Sequence, residues 1–332
     1  MSGARRETVI RLLADGACHS GESVAQSLGV SRSAVWKHVQ ALAELGLEVE
    51  AVRGRGYRVG APFELLDAGR IIGHLPADVS GRIERLERFL SLPSTNSHLL
   101  GAAPPEPGRA QVCLTEHQSA GRGRRGRRWQ SALGGGLCLS IGWRYAEQPP
   151  QLSALSLAIG VAVHAALTAT GIQEVMLKWP NDLLWQDRKL GGVLIELNVE
   201  AGGPAHVVTG IGLNLRLGRL RRSIEREGGD QVVDLAEICG PDLPSRNALA
   251  ASIVADCVRA LVRFGDEGFA PFVGLWNDLD AYADRDVEFI LDREIVQGTA
   301  QGVDEDGALR IDSGGRVRRF VSGEISPRAA RH

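Results

Sequence analysis

The chain has 332 residues, enough for two or three domains. Hydrophobic residues make up 44% and charged residues 23%, which excludes a disordered chain. Lys and Arg total 38 against 40 Asp and Glu, a net charge of -2, which excludes a histone-like polycation but leaves room for a local DNA-binding face. Five scattered cysteines without a Cys-x-x-Cys pair point to a reduced, cytoplasmic protein with small apolar thiols in its core. No export signal is legible, because Arg11 and Asp15 break the first apolar stretch. Only three of the 38 basic residues are lysine: Lys37, Lys178 and Lys189. In so arginine-biased a chain, a retained lysine suits a place that needs a compact ammonium rather than a planar fork.

In chain order, Val9, Ile10, Leu12 and Leu13 form the apolar face of a first helix, ended at Asp15-Gly16. A second short helix begins at Ser20 and turns at Gly29. Ser31 caps a third that runs to Leu45 and closes at Gly46. Val35, Val39 and Leu42 share one face of that third helix; Arg32, Ser33, Trp36, Lys37 and Gln40 share the other. A hairpin follows, with Leu47 to Val52, the turn Gly54-Arg55-Gly56 and then Tyr57-Arg58-Val59. Three helices and a basic hairpin are the layout of a winged helix-turn-helix. The eight Lys and Arg against six Asp and Glu through Gly60 do not by themselves separate DNA binding from a protein-interaction module. The pattern favours DNA. Ser31, Arg32, Ser33, Trp36, Lys37, Gln40 and the wing-tip Arg55 stand where groove and phosphate contacts would arise.

Residues 61 to about 85 read as a connector. Strands are expected at Val112–Glu116, Leu137–Trp143, Glu174–Trp179, Val193–Val199 and His206–Leu213, with long helices at Leu152–Ala169 and Asn247–Phe264. Leu152–Ala169 carries no formal charge, yet more than half of it is Ala, Ser, Gly and Thr, it includes a His, and it lacks basic anchors, so it reads as a buried core helix and not a membrane span. After Leu279 come short strands at Val287–Leu291, Val296–Gln301, Ala308–Ile311 and Val317–Val321, the texture of a small β-barrel. The expected domains are 1–62, 63–276 and 277–332.

Gly121-Arg122-Gly123-Arg124-Arg125-Gly126 fits the dinucleotide pattern G-x-G-x-x-G but is followed by Arg127-Arg128-Trp129, which opens no phosphate-binding helix. It also lacks the Lys-Ser/Thr of a phosphate-binding P-loop. What remains is a cationic glycine loop able to close over a polyanion such as a triphosphate or an acyl phosphate, or over nucleic acid. Lys178-Trp179-Pro180-Asn181-Asp182 ends one expected strand, and Lys189-Leu190-Gly191-Gly192-Val193-Leu194-Ile195-Glu196 opens the next. Two lysines and a carboxylate at one sheet edge suit a carboxylate substrate meeting ATP and magnesium, with Asp182 toward the metal. Gly210-Ile211-Gly212-Leu213-Asn214 adds an amide suited to a ribose or base. Ser94, Thr95 and Asn96 favour a neutral polar head. No G-x-S-x-G, H-E-x-x-H or metal-ligand histidine spacing is found.

In these blocks the chain resembles the bifunctional biotin–protein ligases that double as biotin-operon repressors. The stretch Gln118–Trp129, KWPND, KLGGVLIE and GIGLN look like that family's signature blocks, in order, behind a winged helix. The resemblance implies an α+β multidomain fold: a winged helix-turn-helix, a central α/β domain of mixed sheet related to class II aminoacyl-tRNA synthetases, and a C-terminal SH3-like barrel. It implies that biotin and ATP form biotinyl-5′-AMP, which then acylates a lysine of a biotin carboxyl carrier protein. By position, Ser94, Thr95, Asn96, Gln118, Arg122, Gly123, Arg124 and Lys189 would contact biotin. Arg122, Arg124, Arg125, Trp129, Lys178, Asn181, Asp182 and Asn214 would serve ATP and the adenylate. Lys189, Arg124, Lys178 and Asp182 would carry the chemistry. Leu217 to Asp230 corresponds to the family's adenylate-covering loop. The further implications are operator DNA as a partner and a homodimer when the adenylate is bound. Two other readings share these blocks, a ligand-sensing regulator without ligase activity and a lipoate or octanoate ligase.

Overall fold

The computed structural model describes residues 3–199, 203–227, 231–291 and 294–328. Its first unit holds α1 (Gly3–Leu13), α2 (Gly21–Leu28), α3 (Arg32–Ala43) and the hairpin of β1 (Val49–Val52) and β2 (Gly56–Val59). Val9, Ile10, Leu13, Val24, Val35 and Leu42 are fully buried in one core, as the 3.6-residue spacing requires. Ser20 caps α2 by accepting the Ser23 amide, and Gly29 ends it in the left-handed conformation. Ser31 stands at the N-cap of α3 but does not cap it: its hydroxyl bonds the Ser33 hydroxyl at 2.9 Å instead. The helix also ends at Ala43, short of Leu45. Gly56 has φ +134°, and a Cβ there would lie 1.9 Å from the His19 carbonyl, so the wing closes onto the chain before α2 only with glycine.

The connector is more structured than expected. It contains α4 (Ala68–His74) and α5 (Ala77–Ser80), and β3 (Ile83–Phe89) begins before residue 85. Leu66 and Ile71 are fully buried in the central core, but the apolar residues here are interrupted by Pro62, Pro76 and glycines and hold no single period that would show it.

The central unit continues with α6 (Thr95–Leu100), β4 (Ala110–Thr115), β5 (Gly136–Tyr145), α7 (Leu155–Ala169), β6 (Val175–Lys178), β7 (Asp182–Trp185), β8 (Arg188–Val199), β9 (Ala205–Asn214), α8 (Leu220–Arg226), α9 (Leu235–Cys239), α10 (Arg246–Glu267) and α11 (Ala270–Asp278). Its seven strands run in the order β3-β4-β5-β9-β8-β7-β6; β3 and β4 are parallel and the rest antiparallel, a mixed sheet. Helices α7 and α10 pack together over one face, and α6 lies against β4, β5 and β9. The segment 152–169 begins with a 3₁₀ turn, Leu152–Ala154, and 67% of it is buried, as expected for a core helix. Strand β8 starts at Arg188, ahead of the expected Val193, because β7, which the sequence did not reveal, pairs with its first residues.

Helix α11 runs to Asp278, two residues past the expected boundary at 276. Strands β10 (Asp286–Leu291), β11 (Glu294–Val303), β12 (Leu309–Asp312), β13 (Val317–Phe320) and β14 (Glu324–Pro327) then pair antiparallel in the order β13-β12-β11-β10-β14. The Phe289 and Phe320 rings lie 4.2 Å apart although two strands separate β10 from β13. In a flat sheet those strands would be roughly 14 Å apart, so the sheet curls on itself.

Where the chain passes from α11 into this unit, the main chain of Leu279 and Ala281 bonds Leu177 of β6. Between them Asp280 is 6% exposed, and its Oδ2 has no partner among the described residues. Burial pushes its carboxyl up to about 6, against the Tyr282 amide and aided by Asp284. A carboxyl raised in the folded state favours folding only while protonated, so stability falls as pH climbs toward 6 and the cost is complete above it. Asp280→Asn is therefore expected to raise stability by about 1–3 kcal/mol at pH 7.5, the gain shrinking toward pH 5. Thermal melts of both proteins across that range check it; a gain independent of pH would assign the effect to packing.

Candidate active site

The sheet's open face is lined at one end by residues from every block singled out in the sequence. Ser94, at the N-cap of α6, accepts the Ser97 amide and so sets Thr95 and Asn96 as the first turn. Gln118 follows β4, and its Oε1 accepts the Thr95 amide at 2.8 Å. Lys178 and Asp182 are cross-strand partners flanking the β6–β7 turn, and Asp182 stands opposite Gly192 of β8. The arginine loop runs along the rim as a short 3₁₀ turn at Arg124–Gly126, with Arg125 in the left-handed region at φ 54°. Together these enclose a cavity of about 620 Å³, bordered by Ser94, Thr95, Asn96, Gln118, Arg122, Gly123, Arg124, Arg125, Trp129, Lys178, Asn181, Asp182, Lys189 and Asn214.

Carboxylates neutralise most of the cations around it. Lys189 Nζ lies 2.7 Å from Asp182 Oδ1. Arg122 donates to Glu196 at 2.8 Å, and Arg125 and Arg127 both meet Glu324 of β14. Arg124 makes no ion pair among the described residues. Burial, and after it the Arg125 guanidinium, hold its pKa below the usual arginine value. A half-buried guanidinium that faces a cavity with no carboxylate in ion-pair contact among the described residues, Asp182 and Glu324 acting on it only at longer range, is the local signature of an anion site.

Some of the expected ligand residues are also tied into the fold. The Nδ2 groups of Asn181 and Asn214 are committed to main-chain carbonyls: Asn181 to Val193 at 2.7 Å, Asn214 to Val233 at 3.1 Å and Lys189 at 3.3 Å. These amides hold strands at the cavity wall. The glycines also serve neighbours before any ligand. A Cβ on Gly210 would lie 2.3 Å from Asn96 Oδ1, on Gly212 2.6 Å from the Trp129 indole, and on Gly191 2.5 Å from the Gly212 carbonyl. Sequence reasoning missed Ser140, Glu196 and Glu324. Ser140 is an unremarkable strand serine, Glu196 ends a block read for its lysine, and Glu324 comes from a domain without a motif. In the 217–230 segment Leu220–Arg226 is helical, Ile224 and Glu227 border the cavity, and residues 228–230 lie outside the described residues.

The residues expected to face DNA lie apart from this cavity. Ser31, Arg32, Ser33, Trp36, Lys37, Gln40 and Arg55 are all exposed, and Trp36 is 57% exposed, unusual for an indole on a helix with a buried opposite face. Gln40 borders a second cleft, between α3 and the central unit.

Family models match three stretches of the chain. An HTH domain matches residues 5–58, the biotin/lipoate A/B protein ligase family 89–214, and the biotin protein ligase C terminal domain 284–328. The bifunctional ligase/repressor BirA of Escherichia coli (strain K12) is 39% identical over 322 residues, 97% of each chain. A biotin–[acetyl-CoA-carboxylase] ligase of Mycobacterium tuberculosis is 32% identical over 240 residues, 70% of this chain and 85% of that one. Among solved structures, the biotin protein ligase from Aquifex aeolicus in complex with biotin and ATP is similar with a TM-score of 0.60 and 27% identity, over 75% of this chain and 99% of that one. A helix-turn-helix unit joined to a ligase core and a ligase-type C-terminal domain defines a DNA-binding ligase. More narrowly, the chain belongs to the family of bifunctional biotin–protein ligases and repressors.

Proposed function

We propose that the 620 Å³ cavity is where biotin and ATP meet, with the Ser94–Asn96 end taking the ring head and the Lys189–Asp182 end taking the carboxylate and triphosphate. The chain is an ATP-dependent biotin–protein ligase that modifies a biotin carboxyl carrier protein, and a DNA-binding repressor. The observation that carries the site assignment is convergence: all the ligand residues expected from five separate stretches of the chain border one cavity. In the first step a biotin carboxylate oxygen attacks the α-phosphorus of ATP, and the bond to the departing pyrophosphate breaks. Lys189, Lys178 and Arg124 stabilise the gathering negative charge. In the second, the ε-amine of a carrier lysine attacks the acyl carbonyl, AMP leaves with the bonding electrons, and the amine sheds its proton. Magnesium arrives with ATP. One carboxylate, Asp182, suits an ion held mainly by phosphates and waters, and the described residues contain no cluster of three ligands that would hold a resident metal. There it would offset phosphate charge.

Arg124 is assigned to retention of the intermediate. Arg124→Gly is expected to let biotinyl-AMP escape before transfer, so that exposed lysines of bystander proteins become labelled. The assay is biotin incorporation into albumin beside the carrier domain; labelling confined to the carrier would withdraw the assignment.

We infer a cytoplasmic protein that dimerises when the adenylate is bound. Residues 195–199 of β8 pair with β9 on one side and with no described strand on the other, and Leu197 on this edge is 46% exposed. A second copy could extend the sheet there. One winged helix offers few contacts, so two copies on a two-fold site are the expected DNA-binding form. Footprints over biotin-synthesis promoters should appear or strengthen when biotin and ATP are added together; equal protection with and without them would separate repression from the adenylate.

A further inference from the structure

The head end of the cavity contains a chain of hydrogen bonds whose direction follows from chemistry. Asn96 places Nδ2 2.8 Å from Glu196 Oε2 and 3.3 Å from the Leu194 carbonyl. A carboxylate and a carbonyl only accept, which fixes the amide with Oδ1 toward Ser140. The Ser140 hydroxyl, fully buried, lies 2.6 Å from that Oδ1 and 2.6 Å from Thr95 Oγ1. Its single hydrogen goes to Oδ1, which cannot donate in return. The 2.6 Å contact with Thr95 then requires Thr95 to donate to Ser140, in preference to Gln118 Oε1 at 3.3 Å. Gln118 keeps its partner in the Thr95 amide. With its hydrogen turned inward, Thr95 Oγ1 meets the cavity only as an acceptor.

We propose that Glu196, through Asn96 and Ser140, is a positioning residue that sets this polarity and so makes the enzyme select an acid whose head carries an N–H donor. The selected class is a cyclic urea, and heads without a donor, such as a dithiolane or a plain hydrocarbon, are disfavoured. Arg122 holds Glu196 at 2.8 Å, which ties the polarity to the seated position of the arginine loop. Gly210 belongs to the device, since a Cβ there would collide with Asn96 Oδ1. The inference rests on the head-group end assigned above, and the experiment separates the two.

The probes are biotin and its two cyclic carbamate analogues, in each of which one ring N–H is replaced by oxygen, titrated calorimetrically into the full-length protein. The wild type is expected to prefer biotin over the carbamate whose oxygen faces Thr95 by ~100-fold, the discrimination expected when one buried acceptor is left unpaired. Glu196→Gln supplies a donor in place of the carboxylate, allowing the chain to reverse; the preference should fall to ~10-fold or less. Ser140→Ala cuts the chain without touching the carboxylate and should narrow the preference in the same way, which covers the case that Glu196→Gln does not fold. Thr95→Val tests the underlying assignment. If it leaves biotin affinity unchanged, the head group does not sit at this end. If it weakens biotin while the other two variants keep the wild-type preference, the relay is overturned and the site assignment stands. A merely structural role for Glu196 would lower affinity for all three ligands alike and leave their ratio unchanged.

Discussion

Lys189→Ala is expected to slow biotinyl-adenylate formation by ~100- to 1,000-fold, equivalent to about 3–4 kcal/mol in the transition state, without unfolding the protein. The ammonium sits 2.7 Å from Asp182 at the end of the cavity where the sheet edge is walled by Gly192 and Asn181. Its removal has two effects of the same sign. The reacting carboxylate and phosphate lose a cation that stabilises them more as charge gathers than before, and Asp182 loses its counter-charge and adds repulsion toward both anions. Structure is spared because Lys189 enters the strand through its main chain, its amide bonding Gln231 and its carbonyl receiving the Val233 amide, which alanine reproduces. Pyrophosphate release at saturating biotin and ATP, with circular dichroism alongside, measures it. A rate within about fivefold of wild type would move the chemistry away from this lysine.

The largest effect on stability is expected from a pair the sequence gives no hint of. Glu116, fully buried at the end of β4, accepts Arg246 Nη1 at 2.8 Å and the Leu66 amide at 2.6 Å. Arg246, 4% exposed at the start of α10, also donates to the carbonyls of Glu64 and of Gly136, where β5 begins. One ion pair thus fastens the chain leaving the DNA-binding unit to the two strands that border the site, two residues before Gln118. Glu116→Ala strands a buried guanidinium and should cost about 3–5 kcal/mol. Glu116→Met with Arg246→Met removes both charges and should cost less than Glu116→Ala alone. Denaturant melts of Glu116→Met, Arg246→Met and the double variant form the cycle, with Glu116→Ala measured beside them; a loss below about 1 kcal/mol in Glu116→Ala would show that water reaches the pair.

By itself the sequence determined the parts governed by local rules. Helical spacing gave α1 and the buried face of α3, and turn glycines placed the wing. Alternation and apolar runs located most strands of the central and C-terminal units. The cluster Lys178, Asp182, Lys189 with the arginine loop was legible because rare lysines and dense arginines in glycine stand out in composition. Tertiary structure decided what depends on residues far apart in the chain. Strand β7 and the early start of β8 exist because they pair with each other, and α4 is held by the core beneath it, not by its own periodicity. The separation of the first two units is likewise incomplete: Leu133, just beyond the arginine loop, is buried in the helix-turn-helix core, and its amide bonds the Leu45 carbonyl at 2.9 Å. The same holds for the roles of Ser140, Glu196 and Glu324, and for the glycines that make room for Asn96 and Trp129. Propensity and spacing act over a few residues, whereas a hydrogen's direction, a counter-ion or the space for a side chain is set by whatever the fold brings within about 4 Å.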